Sequence, residues 1–317
     1  MSNSVDKQQL RAERKAERRE WFAFRKKELV KNVNIVKQLV LRSIKVQYRN
    51  SVIGVFWTIL NPLLNMLVMY LVFSNMFERG GAEKETYALY LLCGNIVFGM
   101  MRTATFQSLP SIVQNRGLLT KNKMSYNVFP LSYTLSAVVN FGFSFIALLG
   151  VMLVVWIQGQ AVFSLNIFLA FVGLPALFLF SYGLSLILAA LYTFFRDVKH
   201  FYNVFLTLWM YLTPIFYSID IFYKNDSSFS FMGFVIKCNP MYYYVEYFRD
   251  VVYRCSVYEH AIEKATAAGQ AITEAMISAA QLPTFGETFA IYAIGLAATL
   301  VGGIIFLCTK RKFIYNI

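Results

Sequence analysis

Few side chains in this sequence have the type and spacing for chemistry. The two histidines, His200 and His260, stand apart from each other and from four scattered cysteines, Cys93, Cys238, Cys255 and Cys308. No metal-ligand spacing results. There is no G-x-x-x-x-G-K-[ST] phosphate loop and no G-x-G-x-x-G turn, so the chain lacks the backbone cradle that holds a nucleotide. No Ser/His/Asp set and no acidic pair at a membrane face can be assembled. Arg196-Asp197 is the most polar point between two long apolar runs, and a lone aspartate there reads as an ion-paired helix end. Cys238 and Cys255 share one long loop, and a disulfide between them requires that loop to lie outside the cell.

What the chain has in quantity is aromatic residues, which make up 17% of it. Trp57, Tyr70 and Phe73 fall in one apolar run, and Tyr202, Trp209, Tyr211, Phe216 and Tyr217 in another. Aromatics at span ends form interface belts. Those nearer mid-span need a partner for the hydroxyl or indole N–H, and a sugar would supply one by stacking its pyranose face on the ring. Trp57, Tyr70, Tyr202, Trp209, Tyr211 and Tyr217 are therefore candidates to line a passage.

The elements that must position these residues are membrane helices. Hydrophobic residues make up 57% of the chain and charged residues only 15%, against about a quarter charged in soluble proteins. Between Lys123 and Arg196 lie 72 residues without a single Asp, Glu, Lys or Arg. Soluble enzymes, disulfide scaffolds and disordered tails are excluded, and an all-α integral membrane protein is expected. Six candidate spans are Val52–Phe77, Tyr87–Ser108, Leu131–Ile157, Ile167–Phe195, Phe201–Phe222 and Thr288–Thr309. The polar cluster around Gln158-Gly159-Gln160 divides the long uncharged run.

Charge sets the orientation. Residues 1–54 carry 14 Lys/Arg against 5 Asp/Glu. This basic block adjoins apolar spans, which points to anionic lipid headgroups and not to nucleic acid. Arg116, Lys121 and Lys123, then Arg196 and Lys199, then Lys310, Arg311 and Lys312 fall in alternate loops with it. The intervening loops are neutral or acidic. The positive-inside rule thus predicts both termini in the cytoplasm of a multi-pass membrane protein. Arg102 lies inside the second span near its basic end, where an arginine can snorkel to the headgroups. No Asp or Glu occupies the middle of a span, which counts against ion-coupled transport.

Three further regions have distinct characters. Residues 1–28 form a charged cytoplasmic extension. In 29–50, Leu29, Val33, Val36, Val40, Ile44 and Tyr48 recur at helical spacing, with Lys31, Arg42, Lys45 and Arg49 on another face, as in a helix lying in the membrane interface. The external loop 223–287 holds the apolar segments Phe229–Ile236 and Met241–Tyr253, expected to form short helices dipping back into the outer leaflet, and then an Ala-rich insertion at 256–282.

The order of these segments resembles the ABC-2 type exporter permeases, most closely their polysaccharide, O-antigen and teichoic acid branch. The resemblance spans roughly 30–317 of the chain. It rests on Arg49–Leu64, Asn115–Pro130, Arg196–Val198, Thr213–Ser218 (TPIFYS), Asn239–Tyr253 (NPMYYYVEYFRDVVY) and a last span ending in basic residues. The extension and the Ala-rich insertion depart from the pattern. The resemblance implies a 51–317 transmembrane domain working as a homodimer with two copies of a separate ABC ATPase subunit. ATP and Mg would sit on that subunit, and this chain would carry no cofactor and no enzymatic activity. The exported substrate would be a lipid-linked polysaccharide or teichoic acid. It further implies a coupling element at Asn115, Arg116, Leu118, Leu119, Lys121 and Lys123, and an external gate involving Pro214, Phe216, Asn239, Pro240 and Arg249. Other readings are an ABC-2 permease for a drug or small lipid, a membrane-embedded transferase, and a scaffold or channel without turnover.

Overall fold

The computed structural model describes residues 30–47, 54, 56–73, 86–121, 124–219, 227–268 and 282–313. The extension 1–28, Lys123, the outer parts of the first and fifth expected spans and residues 269–281 of the Ala-rich insertion lie outside these residues. The described secondary structure is helical. Helix α1 covers 30–47; α2 is Phe56–Phe73, α3 Tyr87–Ser108, α4 Ser111–Gln114, α5 Arg116–Lys121 and α6 Val128–Ile157. A 3₁₀ turn, Leu165–Leu169, leads into α7, Ala170–Phe194, followed by α8, Val198–Leu212, α9, Ser227–Lys237, and α10, Pro240–Arg249. A π-helical turn, Asp250–Arg254, joins α10 to α11, Cys255–Ala267, and α12 is Phe285–Thr309.

Among the described residues four helices are long and apolar enough to cross a membrane: α3, α6, Leu165–Phe194 and α12. Helix α2 is apolar but shorter. The fifth expected span, Phe201–Phe222, is expected to be broken by Pro214, and helix α8 stops just before it, at Leu212. Pro214 has no N–H to give, and the residue before a proline is driven extended; Thr213 accordingly has ψ of 128°. In α1 the apolar stripe is only half covered: Val36 is buried and Val33 exposed, as suits a helix with one face turned to lipid.

The core is built on α3, whose surface is largely covered by α2, α6, α7 and α10. Helices α7 and α12 approach most closely. A Cβ on Gly183 would lie 2.3 Å from the Ala298 carbonyl carbon, and one on Gly302 would lie 2.2 Å from the Gly183 oxygen. Small residues let backbones meet where lipid supplies no hydrophobic drive. The close approach is reinforced by hydroxyls reaching across to carbonyls of α7: Thr299 donates to Leu179 O at 2.7 Å, and Tyr292 to Val172 O at 2.7 Å.

Candidate functional site

The break after α8 organises the end of the bundle remote from the basic loops. A helix that stops leaves its last carbonyls without partners, and the chain from Thr213 to Tyr217 continues as an irregular turn. Side chains from two other helices satisfy it. Tyr87 of α3 donates its hydroxyl to Phe216 O at 2.7 Å, and Tyr90 donates to Tyr217 O at 2.8 Å. Arg249 of α10 donates Nη2–H to Ile215 O at 2.8 Å. Three successive carbonyls are thus held by three different side chains.

Asn239 ties the same turn to the start of α10. Its Oδ1 caps the helix by accepting from Met241 N at 3.0 Å, with Pro240 at the first helical position. That oxygen also accepts from Trp209 Nε1 at 2.7 Å, while Asn239 Nδ2 donates to Thr213 Oγ1 at 2.9 Å. Of the five gate candidates, Pro214, Phe216, Asn239 and Arg249 are brought together here, with Pro240 alongside.

Arg249 is the centre of this cluster. Its side chain is fully buried (0% exposed), an arrangement that costs several kcal/mol per charge unless it is fully partnered. Nη1 pairs with Glu246 Oε1 at 3.0 Å, and the guanidinium carbon lies 3.7 Å from the centroid of the Tyr90 ring. Gly94 makes room for it: a Cβ there would sit 3.2 Å from Nη2. Glu246 also pairs with Arg254 Nη2 at 2.7 Å, and Arg254 with Asp250. Burial pushes the Asp250 carboxyl up to about 6, against the pull of Arg254. The charges form an open line, Arg249–Glu246–Arg254–Asp250, along α10 and its π turn.

The six passage candidates divide. Tyr202 is buried and donates to Thr105 Oγ1 at 2.7 Å; Trp209 is buried with its N–H on Asn239. Both face the interior of the bundle. Tyr70 packs near Tyr87, with ring centroids 6.5 Å apart. Trp57 and Tyr211 are exposed, and Tyr217, half-buried, donates to Tyr211 O at 2.9 Å. Arg102 is exposed on α3, as a snorkelling side chain requires. Cys238 and Cys255 form no disulfide, Cys238 lying exposed at the end of α9 and Cys255 buried at the start of α11.

At the basic end, α4 and α5 form a tight corner in which Asn115 Nδ2 donates to Ser111 O at 2.8 Å. Arg116 and Gly117 are exposed and Leu118 half-buried. Leu119 packs against a small cluster containing Ile112, Leu186, Phe306 and Phe313, so it anchors the corner to α7 and α12. Lys123 and the side chain of Lys121 lie outside the described residues.

Sequence reasoning missed a stripe of amides within the spans. Asn61 and Asn65 lie on α2, Asn95 and Gln107 on α3, and Asn140 on α6, all facing one cavity with Gln47 of α1. The signal was present as polar residues repeating at helical spacing inside runs that are apolar on average.

The ABC-2 type transporter family model matches residues 35–253. The O-antigen export system permease protein RfbA of Myxococcus xanthus is 29% identical over 239 residues, covering 75% of this chain and 86% of that protein. An O-antigen export system permease protein RfbA of Klebsiella pneumoniae is 26% identical over 200 residues, covering 63% of this chain and 73% of its own length. The matched region runs from α1, through the corner formed by α4 and α5, to the clamped turn and the π turn after α10; the chain belongs to the ABC-2 type transporter family and is a membrane permease.

Proposed function

We propose that this chain is the transmembrane half of an ATP-driven exporter that carries a lipid-linked polysaccharide of the O-antigen or teichoic acid kind across a bacterial cytoplasmic membrane. The observation that carries the reading is family membership across residues 35–253, with relatives named for O-antigen export aligned over most of their length. Helices α2, α3, α6, α7, α8 and α12 are the six spans, and both termini are cytoplasmic. Two copies pair, each engaging an ABC ATPase subunit that holds ATP and Mg. The turn clamped by Arg249 and Asn239 is the external gate, with α9 and α10 as short helices set into the outer leaflet. The exposed Trp57 and Tyr211 and the half-buried Tyr217 face the passage.

The orientation has a direct test. In a chain stripped of native cysteines, Gln158→Cys should react with an impermeant maleimide in intact cells, and Ser125→Cys should react only after lysis. Both side chains are exposed. Reaction of position 125 from outside contradicts the arrangement.

Coupling is assigned to α5. An apolar knob in a groove with charges setting its register is how a small docking element gains both strength and specificity. Because Leu119 is committed to the chain's own packing, the test uses Leu118. Leu118→Asp should leave insertion unchanged but bury an unpaired carboxylate against the ATPase, costing several kcal/mol of association. Co-purification of the ATPase, and its hydrolysis of ATP in the complex, should fall at least tenfold. The isolated chain should hydrolyse no ATP. Vanadate-sensitive turnover by the isolated chain, or normal coupling in Leu118→Asp, would overturn the corresponding part of the assignment.

A further inference from the structure

The corner that carries the coupling element is built from α4 and α5, helices of only four and six residues. Helices shorter than about 12 residues are marginal on their own in water, so packing against the rest of the chain must hold the corner's shape. Its apolar side chains go to one place. Ile112 of α4, Leu119 of α5 and Tyr126, which leads back into α6, join a small cluster with Leu186 and Phe194 of α7 and Phe306 of α12.

The remaining large member of that cluster comes from beyond the last span. Basic residues that follow a span are drawn to headgroups and water, and Lys310, Arg311 and Lys312 follow α12. These three form a 3₁₀ turn, and the side chain after it, Phe313, is fully buried (0% exposed). Its ring centroid lies 5.4 Å from that of Phe306, 5.6 Å from that of Tyr126 and 6.1 Å from that of Phe194, all within the range of favourable aromatic pairing. One side chain thus joins the corner's Tyr126 to the ends of both α7 and α12. Rings packed this closely fix one another's positions, because a close-packed interior transmits a displacement and does not absorb it.

Resting on the export reading and on the assignment of coupling to α5, we propose that Phe313 is a positioning residue for coupling. The turn after α12 folds back as a latch that holds the α4–α5 corner against α7 and α12, so that a push from the ATPase at the corner reaches the spans. Coupling between distant sites is carried by packed side chains and rigid elements, and this cluster joins the corner to two of the long helices. Without Phe313 the corner keeps its own hydrogen bond from Asn115 to Ser111 and the surface it offers the ATPase, but loses its footing.

A merely structural Phe313 would lower stability and leave coupling alone, so the test compares two ring deletions. Phe145, buried on α6 against Phe141 and Phe171 in the main core, is the control. Proteoliposomes holding the full-length permease with its ATPase take up tritiated carrier-linked polymer extracted from native membranes, and lumenal polymer is counted per ATP hydrolysed. Phe313→Ala should keep the ATPase bound and hydrolyse ATP within twofold of wild type, while polymer moved per ATP falls at least fivefold. Phe145→Ala should melt lower than wild type yet keep that ratio within twofold. Tyr126→Ala, which removes the corner's own ring from Phe313, should uncouple as Phe313→Ala does. Phe313→Leu, which refills most of the space, should restore the ratio to within twofold. In a chain stripped of native cysteines, a nitroxide on Gly117→Cys, where a Cβ meets nothing within 4 Å, should gain mobility with Phe313→Ala and not with Phe145→Ala. A wild-type ratio in either Phe313→Ala or Tyr126→Ala overturns the latch and leaves the export reading intact. Equal uncoupling by Phe145→Ala would reveal a general loss of packing and overturns it as well. A wild-type complex that hydrolyses ATP but moves no polymer overturns the export reading itself, and the latch with it.

Discussion

Arg249→Met will destabilise the protein by about 3–5 kcal/mol, the cost of removing one partner from a buried, hydrogen-bonded charge pair. The loss is not confined to the pair. Ile215 O loses its donor, the Tyr90 face loses its cation, and the turn after Pro214 keeps two of its three clamps. Arg249→Lys should fall in between, because a lysine has no planar fork to reach Glu246 and Ile215 together. Glu246→Gln should cost less than Arg249→Met, since Arg254 retains Asp250 and Arg249 retains the carbonyl and the ring. The measurement is the thermal midpoint of the purified protein in detergent, followed by intrinsic fluorescence. An Arg249→Met variant melting with the wild type would mean that the clamp does not hold the turn.

The second large effect is expected at adjacent glycines with opposite outcomes. Gly302→Leu places its Cβ 2.2 Å from the Gly183 carbonyl oxygen, and that neighbour is backbone, which no rotamer change can move. Helices α7 and α12 must separate, losing the Thr299 and Tyr292 hydrogen bonds with their close packing. A cost above about 3 kcal/mol follows, beyond ordinary overpacking. Gly303→Leu meets nothing within 4 Å and should be neutral. Monodispersity on gel filtration after mild heating separates the two. If both variants behave alike, α7 and α12 do not meet at this seam.

The sequence stated some of this structure openly and hid the rest for physical reasons. Helix α3 was read to the residue because a charged loop precedes Tyr87 and Pro110 follows its end, both strong boundary signals. The end of α8 is legible from Pro214, although apolar composition persists to Phe222, because hydrophobicity marks what is buried in lipid or protein and not what is helical. Asn239-Pro240 announces a cap and Arg249 a charge needing a partner, yet nothing in the sequence reveals that the partner is the carbonyl of Ile215, since a backbone acceptor has no residue signature. Leu119 looked like half of a docking knob beside Leu118, but its spacing could not show that Phe306 and Phe313 come from the far end of the chain to cover it. Tyr202 and Trp209 looked like passage aromatics for a similar reason: the Thr105 and Asn239 that satisfy them are distant in sequence.

The central claim is that this chain moves a polymer out of the cell, and sidedness of the polymer tests it most directly. In the native cell the chain is depleted from an inducible promoter. Glycosidase-accessible polymer is then compared in intact and lysed cells. The account predicts that surface polymer falls at least tenfold, that carrier-linked polymer accumulates in the pool reached only after lysis, and that re-expression of the wild-type chain reverses both. Unchanged surface polymer, or a fall with nothing accumulating inside, would contradict it.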